Sequence, residues 1–249
     1  MPLTFSIITC TWNSEPFLAQ SIASVLAQDF PHIEYIFVDG GSNDGTLERI
    51  RALPRPYVLL ENVRGGISNA MNAGARVATG NVIAHLHSDD YYLKSNVLST
   101  VAREMEETGR DWLFGRIVRD VGGNLHNENF VVPRYSSRRL LRGNFVPHPA
   151  TFVRRALFSQ AGYFDTTLKY AMDYDFWLKL ARICAPVQLD EALTAFREHA
   201  GSLSTNNRVA AMEEDFRVRL AHAGSNPIAL ATHYARFLVR RHRSLLSKE

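Results

Sequence analysis

Three sets of carboxylates stand out by type and spacing. Asp89 and Asp90 are adjacent, Asp173 and Asp175 flank Tyr174, and Asp39 opens the run Asp39-Gly40-Gly41-Ser42-Asn43-Asp44-Gly45-Thr46. Two neighbouring carboxylates facing a diphosphate repel it unless a divalent cation bridges them, and Mg²⁺ or Mn²⁺ takes carboxylate and phosphate oxygens together. The plainer role for Ser88 or Asp90 is to cap a helix starting near Leu93. A carboxylate at a cleft can remove a proton from a hydroxyl as that oxygen attacks carbon. For Asp173 and Asp175 the alternative is helix-dipole stabilisation, worth about 0.3–1 kcal/mol. Residues i and i+2 on a helix do not share a face, so one of the two is expected to meet substrate. Asp39, an acceptor beside glycines that let the backbone approach a flat ring, suits the N3–H of uracil or thymine or the donor edge of guanine; an ordinary turn is the alternative. His148, between two prolines, and His199 are candidate metal or phosphate contacts, weighed against the commoner structural histidine. Arg64, Arg154 and Arg197 could balance a diphosphate or stand as solvated cations.

These groups need elements to position them, and the apolar pattern supplies a repeating strand and helix. Phe5 to Cys10 is predicted as a strand, followed by a helix over Phe17 to Gln28. Tyr35 to Val38 is a second strand, ending at Asp39, with a helix over Thr46 to Leu53 capped near Asn43 or Asp44. Tyr57 to Leu60, the helix Ile67 to Ala78 and the strand Val82 to Leu86 continue the alternation. Such a series implies a mainly parallel sheet with right-handed crossovers. Ligands of open α/β sheets bind at strand carboxyl ends, where the polar clusters lie. Beyond Gly109 the pattern is irregular: a strand over Trp112 to Val118, a hairpin near Gly122-Gly123-Asn124, a helix over Asp173 to Ile183, and helices over Arg208 to Ala221 and Pro227 to Leu246.

With 249 residues, 46% hydrophobic and 21% charged, the chain can bury a sizeable core and is not of disordered type. A net charge of +3 without long basic runs before the C-terminus argues against a nucleic-acid partner. Cys10 and Cys184 form no CxxC, which argues against a disulfide framework and a thiolate zinc site and fits a reducing, cytoplasmic setting. No stretch reaches the ~18 apolar residues of a spanning helix. Neither GxGxxG nor GxxxxGK[ST] is present, so neither a dinucleotide fingerprint nor a Walker loop accounts for a nucleotide.

Read in order, Ser6-Ile7-Ile8-Thr9 with Trp12-Asn13, Val38 to Thr46, Gly66-Ile67-Ser68-Asn69-Ala70-Met71-Asn72-Ala73-Gly74 with Ala78-Thr79-Gly80, Ser88-Asp89-Asp90 and Met172-Asp173-Tyr174-Asp175 resemble the family 2 glycosyltransferases of GT-A fold, in the bacterial polysaccharide and colanic-acid branch. The resemblance covers Leu3 to Ser204 and is carried by the ordered set of motifs. It implies an α/β GT-A fold, a mainly parallel central sheet flanked by helices, with C-terminal helices. By it, Asp39 contacts the base, and Thr11, Asn13 and Glu15 line the nucleotide pocket. Ser42 and Asp44 shape its loop, Asn72 faces the donor sugar or ribose, and Ser88 and Arg64 join the nucleotide site. Asp89 matches the last carboxylate of the family's metal motif, with Asp90 or His199 as further ligands of Mn²⁺ or Mg²⁺. Asp173 matches the catalytic base. Arg197-Glu198-His199 with Ser202 resembles a C-terminal element near the pyrophosphate, and His148, Asp175 and Arg197 are acceptor or supporting candidates. Two positions depart from the pattern: His87 stands where relatives place the first metal-motif Asp, and Met172 where many have Glu.

The expected activity is therefore an inverting, metal-dependent transfer of a sugar from a nucleotide-diphospho-sugar, a UDP-sugar by preference, to a hydroxyl of a glycan or lipid-linked acceptor in cell-surface polysaccharide biosynthesis. A sugar-nucleotide pyrophosphorylase and a non-catalytic nucleotide-sugar-binding module are the alternatives. Residues 1–205 are expected to form the transferase domain, with 1–110 binding the nucleotide sugar and 111–205 the acceptor, and 206–249 a helical extension. Tyr234 to Lys248 interleaves Arg236, Arg240, Arg241, Arg243 and Lys248 with apolar residues. Such a helix lies peripherally on an anionic membrane, at its inner face, or packs on the domain with its basic face in water.

Overall fold

The computed structural model describes residues 3–54, 56–128, 132–199 and 207–224, with 231, 234, 235, 237 and 238. Strand β1 (Phe5–Thr11) leads into helix α1 (Glu15–Leu26), β2 (Ile33–Asp39), α2 (Thr46–Arg51), β3 (Val58–Leu60), α3 (Ile67–Val77) and β4 (Val82–His85). These four strands lie in the order β3-β2-β1-β4, all parallel. The register pairs Thr11 with Asp39 and Ile8 with His85, so the polar segments after β1, β2 and β4 emerge along one edge.

The second half is built differently. After β5 (Tyr91–Tyr92) come α4 (Val97–Thr108), β6 (Trp112–Val121), β7 (Asn124–Asn127), α5 (Ser137–Leu140), a 3-10 turn (His148–Ala150), β8 (Thr151–Arg154), α6 (Arg155–Ala161), α7 (Met172–Ile183), β9 (Val187–Glu198) and α8 (Arg208–His222). Strand β8 joins β4 antiparallel, β6 joins β8 antiparallel, and β9 runs parallel to β6. The sheet is thus parallel across its first four strands and mixed beyond. The expected hairpin is present, with β7 antiparallel to β6 and Val121 opposite Asn124. Helix α4 starts at Val97 and not near Leu93, because Tyr91 and Tyr92 pair with β9, and Asn96 occupies its N-cap. Neither Ser88 nor Asp90 caps it.

Every residue of β1 is buried, as a central strand covered on both faces requires. Successive side chains point to opposite faces. Ile8 and Cys10 pack with Ile36, Val38, Met71 and the Phe176-Trp177 region of α7, while Phe5 and Ile7 pack with Leu18 and Ile22 of α1 and Val101 of α4. Each large apolar side chain so buried contributes about 1.5–3 kcal/mol. Helix α3 lies close on the sheet because Gly74 faces it: a Cβ there would come within 2.6 Å of Ile8 Cγ2. Among the described residues no helix is long and apolar enough to cross a membrane. The expected helix over Pro227 to Leu246, with the basic residues Arg236, Arg240, Arg241, Arg243 and Lys248, falls outside the described residues apart from the few positions named.

Candidate active site

A cavity of about 650 Å³ opens at the carboxyl ends of β1 and β2, between the turn preceding α3 and the segment 166–169 preceding α7. Thr11, Trp12, Gly40, Arg64, Ser68 and Lys169 are among its walls. Trp12 is 72% exposed, a large cost in apolar surface for a side chain that could pack. Gly40 lies against it, with room for an added Cβ at 3.7 Å from the indole. A flat, exposed indole beside a glycine is a platform on which a planar base can stack. The Arg64 guanidinium lies over Gly41, 3.4 Å from where a Cβ would stand, and Lys169 is exposed on another wall. Two cations near a stacking platform suit a nucleoside diphosphate.

The loops around this cavity enclose Asp39. Its side chain is fully buried, and its oxygens accept the N–H groups of Gly41 at 2.9 Å and Ser42 at 2.8 Å, the Ser42 hydroxyl at 2.6 Å and the Thr11 hydroxyl at 3.3 Å. Four local donors hold the carboxylate at the root of its own loop. It organises the loop that presents Gly40. Asn13, in the left-handed region at φ 50°, donates its N–H to Ser42 Oγ and accepts from the Asn43 N–H, joining the loops after β1 and β2. Asp44 accepts from the N–H groups of Glu15 and Thr46, and Glu15 pairs with Arg49, so both shape the start of α1 and α2. Ser88 donates to Ser14 Oγ at 2.8 Å. Asn72 is 1% exposed, donates to Phe164 O at 2.8 Å and accepts from Phe164 N–H at 3.0 Å. That reciprocal pair fastens α3 to the segment after α6.

The turn after β4 makes a second corner. Asp89 is partly exposed, and its Oδ2 lies 3.1 Å from Nε2 of His199, just past the end of β9. Sequence positions 110 residues apart are thus brought together. Asp90 is 2% exposed, its Oδ1 accepts the Arg197 N–H at 3.0 Å, and burial together with the Asp89 charge holds its carboxyl well above the usual range. Arg197 is committed as well. Its guanidinium bonds Gln20, lies 3.6 Å from Asp120 and stacks over Phe17 at 4.8 Å, so it fixes β9 and does not face a phosphate. Arg154 pairs with Asp111 away from the cavity.

A divalent cation fits this corner on the chemistry of its donors. Among the described residues no group of three or more His, Cys, Asp or Glu converges, so the chain offers two donors, the Asp89 carboxylate and the His199 imidazole. Mg²⁺ and Mn²⁺ are commonly held by one or two protein groups with diphosphate oxygens and water completing the shell.

His148 lies behind this corner. Its ring stacks on His87 with centroids 5.2 Å apart and an interplanar angle of 10°, and it also meets His85 and Trp177. Both ring nitrogens are shielded from solvent and without a hydrogen-bond partner, and burial holds the pKa of His148 well below its ordinary value. His148 is therefore a neutral packing residue supporting His87, not a phosphate contact.

Asp173 occupies the first turn of α7, four residues after Lys169. Its Oδ1 accepts the Tyr174 N–H at 2.6 Å, and the Asn144 amide donates to Oδ2 at 3.3 Å. Burial pushes its pKa up from 3.8 to about 7, opposed by the Tyr174 N–H and reinforced by the charge of Asp215. A carboxylate poised there can take a proton near neutral pH. Asp175 faces elsewhere, bound to His222 at 2.8 Å and Lys179 at 2.7 Å, and ties α8 to α7. It is a structural anchor, the supporting one of the two roles expected for it. Sequence reasoning missed Glu214, whose buried carboxylate accepts the N–H groups of Lys169, Tyr170 and Ala171 and so fixes the segment joining the cavity wall to Asp173. It missed Lys169 and Asn144 also; only Trp12, an exposed aromatic directly after a strand, carried a visible signal.

The sheet, its strand-end cavity and the carboxylates around it define an α/β protein of the GT-A class. The chain belongs to glycosyl transferase family 2, whose profile matches residues 6–160. It is 31% identical over 199 residues to the uncharacterized glycosyltransferase Rv1514c of Mycobacterium tuberculosis, covering 78% of this chain and 74% of that one. It is 28% identical over 252 residues to the uncharacterized glycosyltransferase EpsJ of Bacillus subtilis, covering 92% and 70%. Among solved structures, S. aureus TarS in complex with UDP-GlcNAc superimposes with a TM-score of 0.75 at 24% identity, over 97% of this chain and 73% of that one. The mannosyltransferase PcManGT from Pyrobaculum calidifontis, in complex with GDP-Man and Mn²⁺, gives 0.68 at 17% identity, over 100% and 79%. These likenesses establish the fold.

Proposed function

We propose that this chain is an inverting glycosyltransferase that moves a sugar from a nucleotide-diphospho-sugar to a hydroxyl of a glycan or lipid-linked acceptor in cell-surface polysaccharide biosynthesis, in the cytoplasm at the inner face of the membrane. The observation that carries the reading is Asp173, a carboxylate raised to about 7 and joined by three residues of chain, 170–172, to the wall of the strand-end cavity. Asp173 takes the proton of the acceptor hydroxyl, the oxygen attacks the anomeric carbon, and the bond from that carbon to the diphosphate breaks on the opposite side. One displacement inverts the configuration. Trp12 and Gly40 hold the base, while Arg64 and Lys169 face the diphosphate. Asp89 and His199 would hold Mn²⁺ or Mg²⁺, which neutralises charge on the leaving diphosphate. A uridine nucleotide is supported by the likeness to the UDP-GlcNAc complex of TarS.

The test is thermal stabilisation by a panel of UDP-, GDP- and dTDP-sugars with and without Mn²⁺, on the native chain and on Asp89→Ala, followed by product analysis. A ligand at a hundredfold excess over its dissociation constant stabilises by ~2.7 kcal/mol. A shift with one nucleotide sugar that needs Mn²⁺ and disappears in Asp89→Ala supports donor and cation together. Absence of any shift across the panel removes the proposal.

A further inference from the structure

Outside the donor cavity, the most concentrated charge on the described surface lies between β7 and the 3-10 turn. Arg134, Arg138, Arg139 and Arg142 fall within nine residues and are all exposed. The ion-paired arginines of the protein lie elsewhere, at Arg49, Arg51, Arg103, Arg116, Arg119, Arg154, Arg197 and Arg217; among the described residues none of these four meets a carboxylate. Four like charges held together repel one another, so an unfastened segment would spread them apart. This one is fastened. The Tyr135 N–H donates to Gln188 at 2.7 Å, Ser136 caps α5 through the Arg139 N–H, Arg139 reaches back to Arg134 O at 2.9 Å, and the buried Arg219 donates to Arg142 O. Leu140 is fully buried and its carbonyl accepts the Tyr174 hydroxyl at 2.7 Å, which pins the segment to the first turn of α7.

That turn carries Asp173. Asn144, two residues beyond Arg142, donates to the Asp173 carboxylate. Two residues span at most about 7 Å of chain, so the backbone of Arg142 stands close to Asn144 and, through it, to Asp173. The donor cavity is lined by Arg64 and Lys169 and by none of these four arginines. Guanidinium forks pair bidentately with phosphate oxygens, and four of them match a multiply charged anion. A face that lies on a membrane needs apolar anchors among its cations, and no large exposed apolar side chain occurs in 132–144.

We propose that this arginine shelf binds a phosphate or diphosphate group of the acceptor and so presents the adjoining sugar hydroxyl to Asp173. The inference rests on the reading of Asp173 as the base, and it names the class of acceptor: a sugar whose reducing end carries a phosphate or diphosphate.

The experiment measures calorimetric binding of the full chain to geranyl-diphosphoryl-N-acetylglucosamine and to the neutral geranyl N-acetylglucosaminide. The native chain is expected to prefer the diphosphate probe. Arg138→Ala with Arg142→Ala should weaken that binding by about tenfold per arginine removed while leaving the neutral probe unaffected, and Arg→Lys at both positions should restore part of it. Equal binding of the two probes overturns the proposal. So does a loss that follows Arg64→Ala and not the shelf variants, which places the diphosphate in the donor cavity. Shelf variants that lose only binding to phosphatidylglycerol vesicles, with soluble-probe binding intact, make the shelf a membrane face and also overturn it. A chain that binds the diphosphate probe through the shelf but shifts with no nucleotide sugar would remove the transferase reading and leave the shelf standing.

Discussion

The carboxylate of Glu214 accepts the backbone N–H of Ala171 at 2.8 Å, two residues before Asp173. With the N–H groups of Lys169 and Tyr170 also on it, one buried side chain from α8 sets the path of the chain between the cavity wall and the base. Helix α8 is therefore part of the site's framework, fastened again by His222 on Asp175 and Arg219 on Arg142 O.

Replacing Glu214 by Ala leaves three N–H groups, one of them buried, without their acceptor. Hydrogen bonds to charged groups are worth about 1.5–3 kcal/mol each, and they are not additive here because they share one carboxylate. The expected loss is roughly 2–4 kcal/mol in urea unfolding, with Glu214→Gln recovering part. Turnover should fall in Glu214→Gln even where the fold is retained, because the Asp173 turn is no longer held. Full turnover in that variant would show that α8 does not position the base.

Trp12 gives a second expectation. Stacking of a base on an aromatic side chain is worth about 1–3 kcal/mol by alanine substitution and tolerates any base. Trp12→Ala should raise the dissociation constant for UDP and GDP alike by about tenfold, while Trp12→Phe retains most of the affinity. Titration calorimetry reads both. A selective loss for one base would assign Trp12 to edge recognition and not to stacking.

Gly74 tests how closely α3 must lie on the sheet. A Cβ placed there meets Ile8 Cγ2 at 2.6 Å and Val38 Cγ2 at 3.1 Å, both in the core of β1 and β2. Overpacking of this kind costs about 1–3 kcal/mol, more than the ~1 kcal/mol of helix propensity that alanine gains over glycine. Gly74→Ala should lower the urea midpoint; an unchanged or raised midpoint would mean that the helix can lift without loss.

The parts legible in the sequence are those encoded locally. The alternating strands and helices of the first half show as runs such as Phe5 to Cys10, and Asp89 and Asp173 show as carboxylates where elements change. Asp39 was legible as an acceptor, but its donors are backbone N–H groups of its own loop, and no pattern tells whether a carboxylate serves the loop or a ligand. Strand β9 was not legible. Its sequence Val187-Gln188-Leu189-Asp190-Glu191-Ala192-Leu193-Thr194-Ala195 lacks both the apolar run of a buried strand and clean alternation, and it becomes a strand because β6 and β5 flank it. Glu214 reaches the Asp173 segment from more than 40 residues away by helix packing alone. His199 was visible as a histidine, whereas its approach to Asp89 depends on where β9 ends.

The pH dependence of transfer follows from Asp173. A base must be deprotonated to act, and burial holds this carboxyl at about 7 in the folded chain, above its ordinary 3.8. Activity should therefore be low in mild acid and rise through pH 7 to a plateau, where an unburied aspartate would already have been ionised. Asp215 adds to the upward shift through its negative charge, so Asp215→Asn should let Asp173 ionise more readily and move the rising limb to lower pH. Asp173→Asn keeps the shape and removes the base, and general-base catalysis of this type is worth about 10²–10⁴-fold. Nucleotide binding should survive in that variant, because Trp12, Arg64 and Lys169 are untouched. Measurement of kcat/KM against pH for the native chain and both variants decides the assignment: a limb that stays in place in Asp215→Asn assigns it to another group, and full turnover in Asp173→Asn assigns the proton to another acceptor.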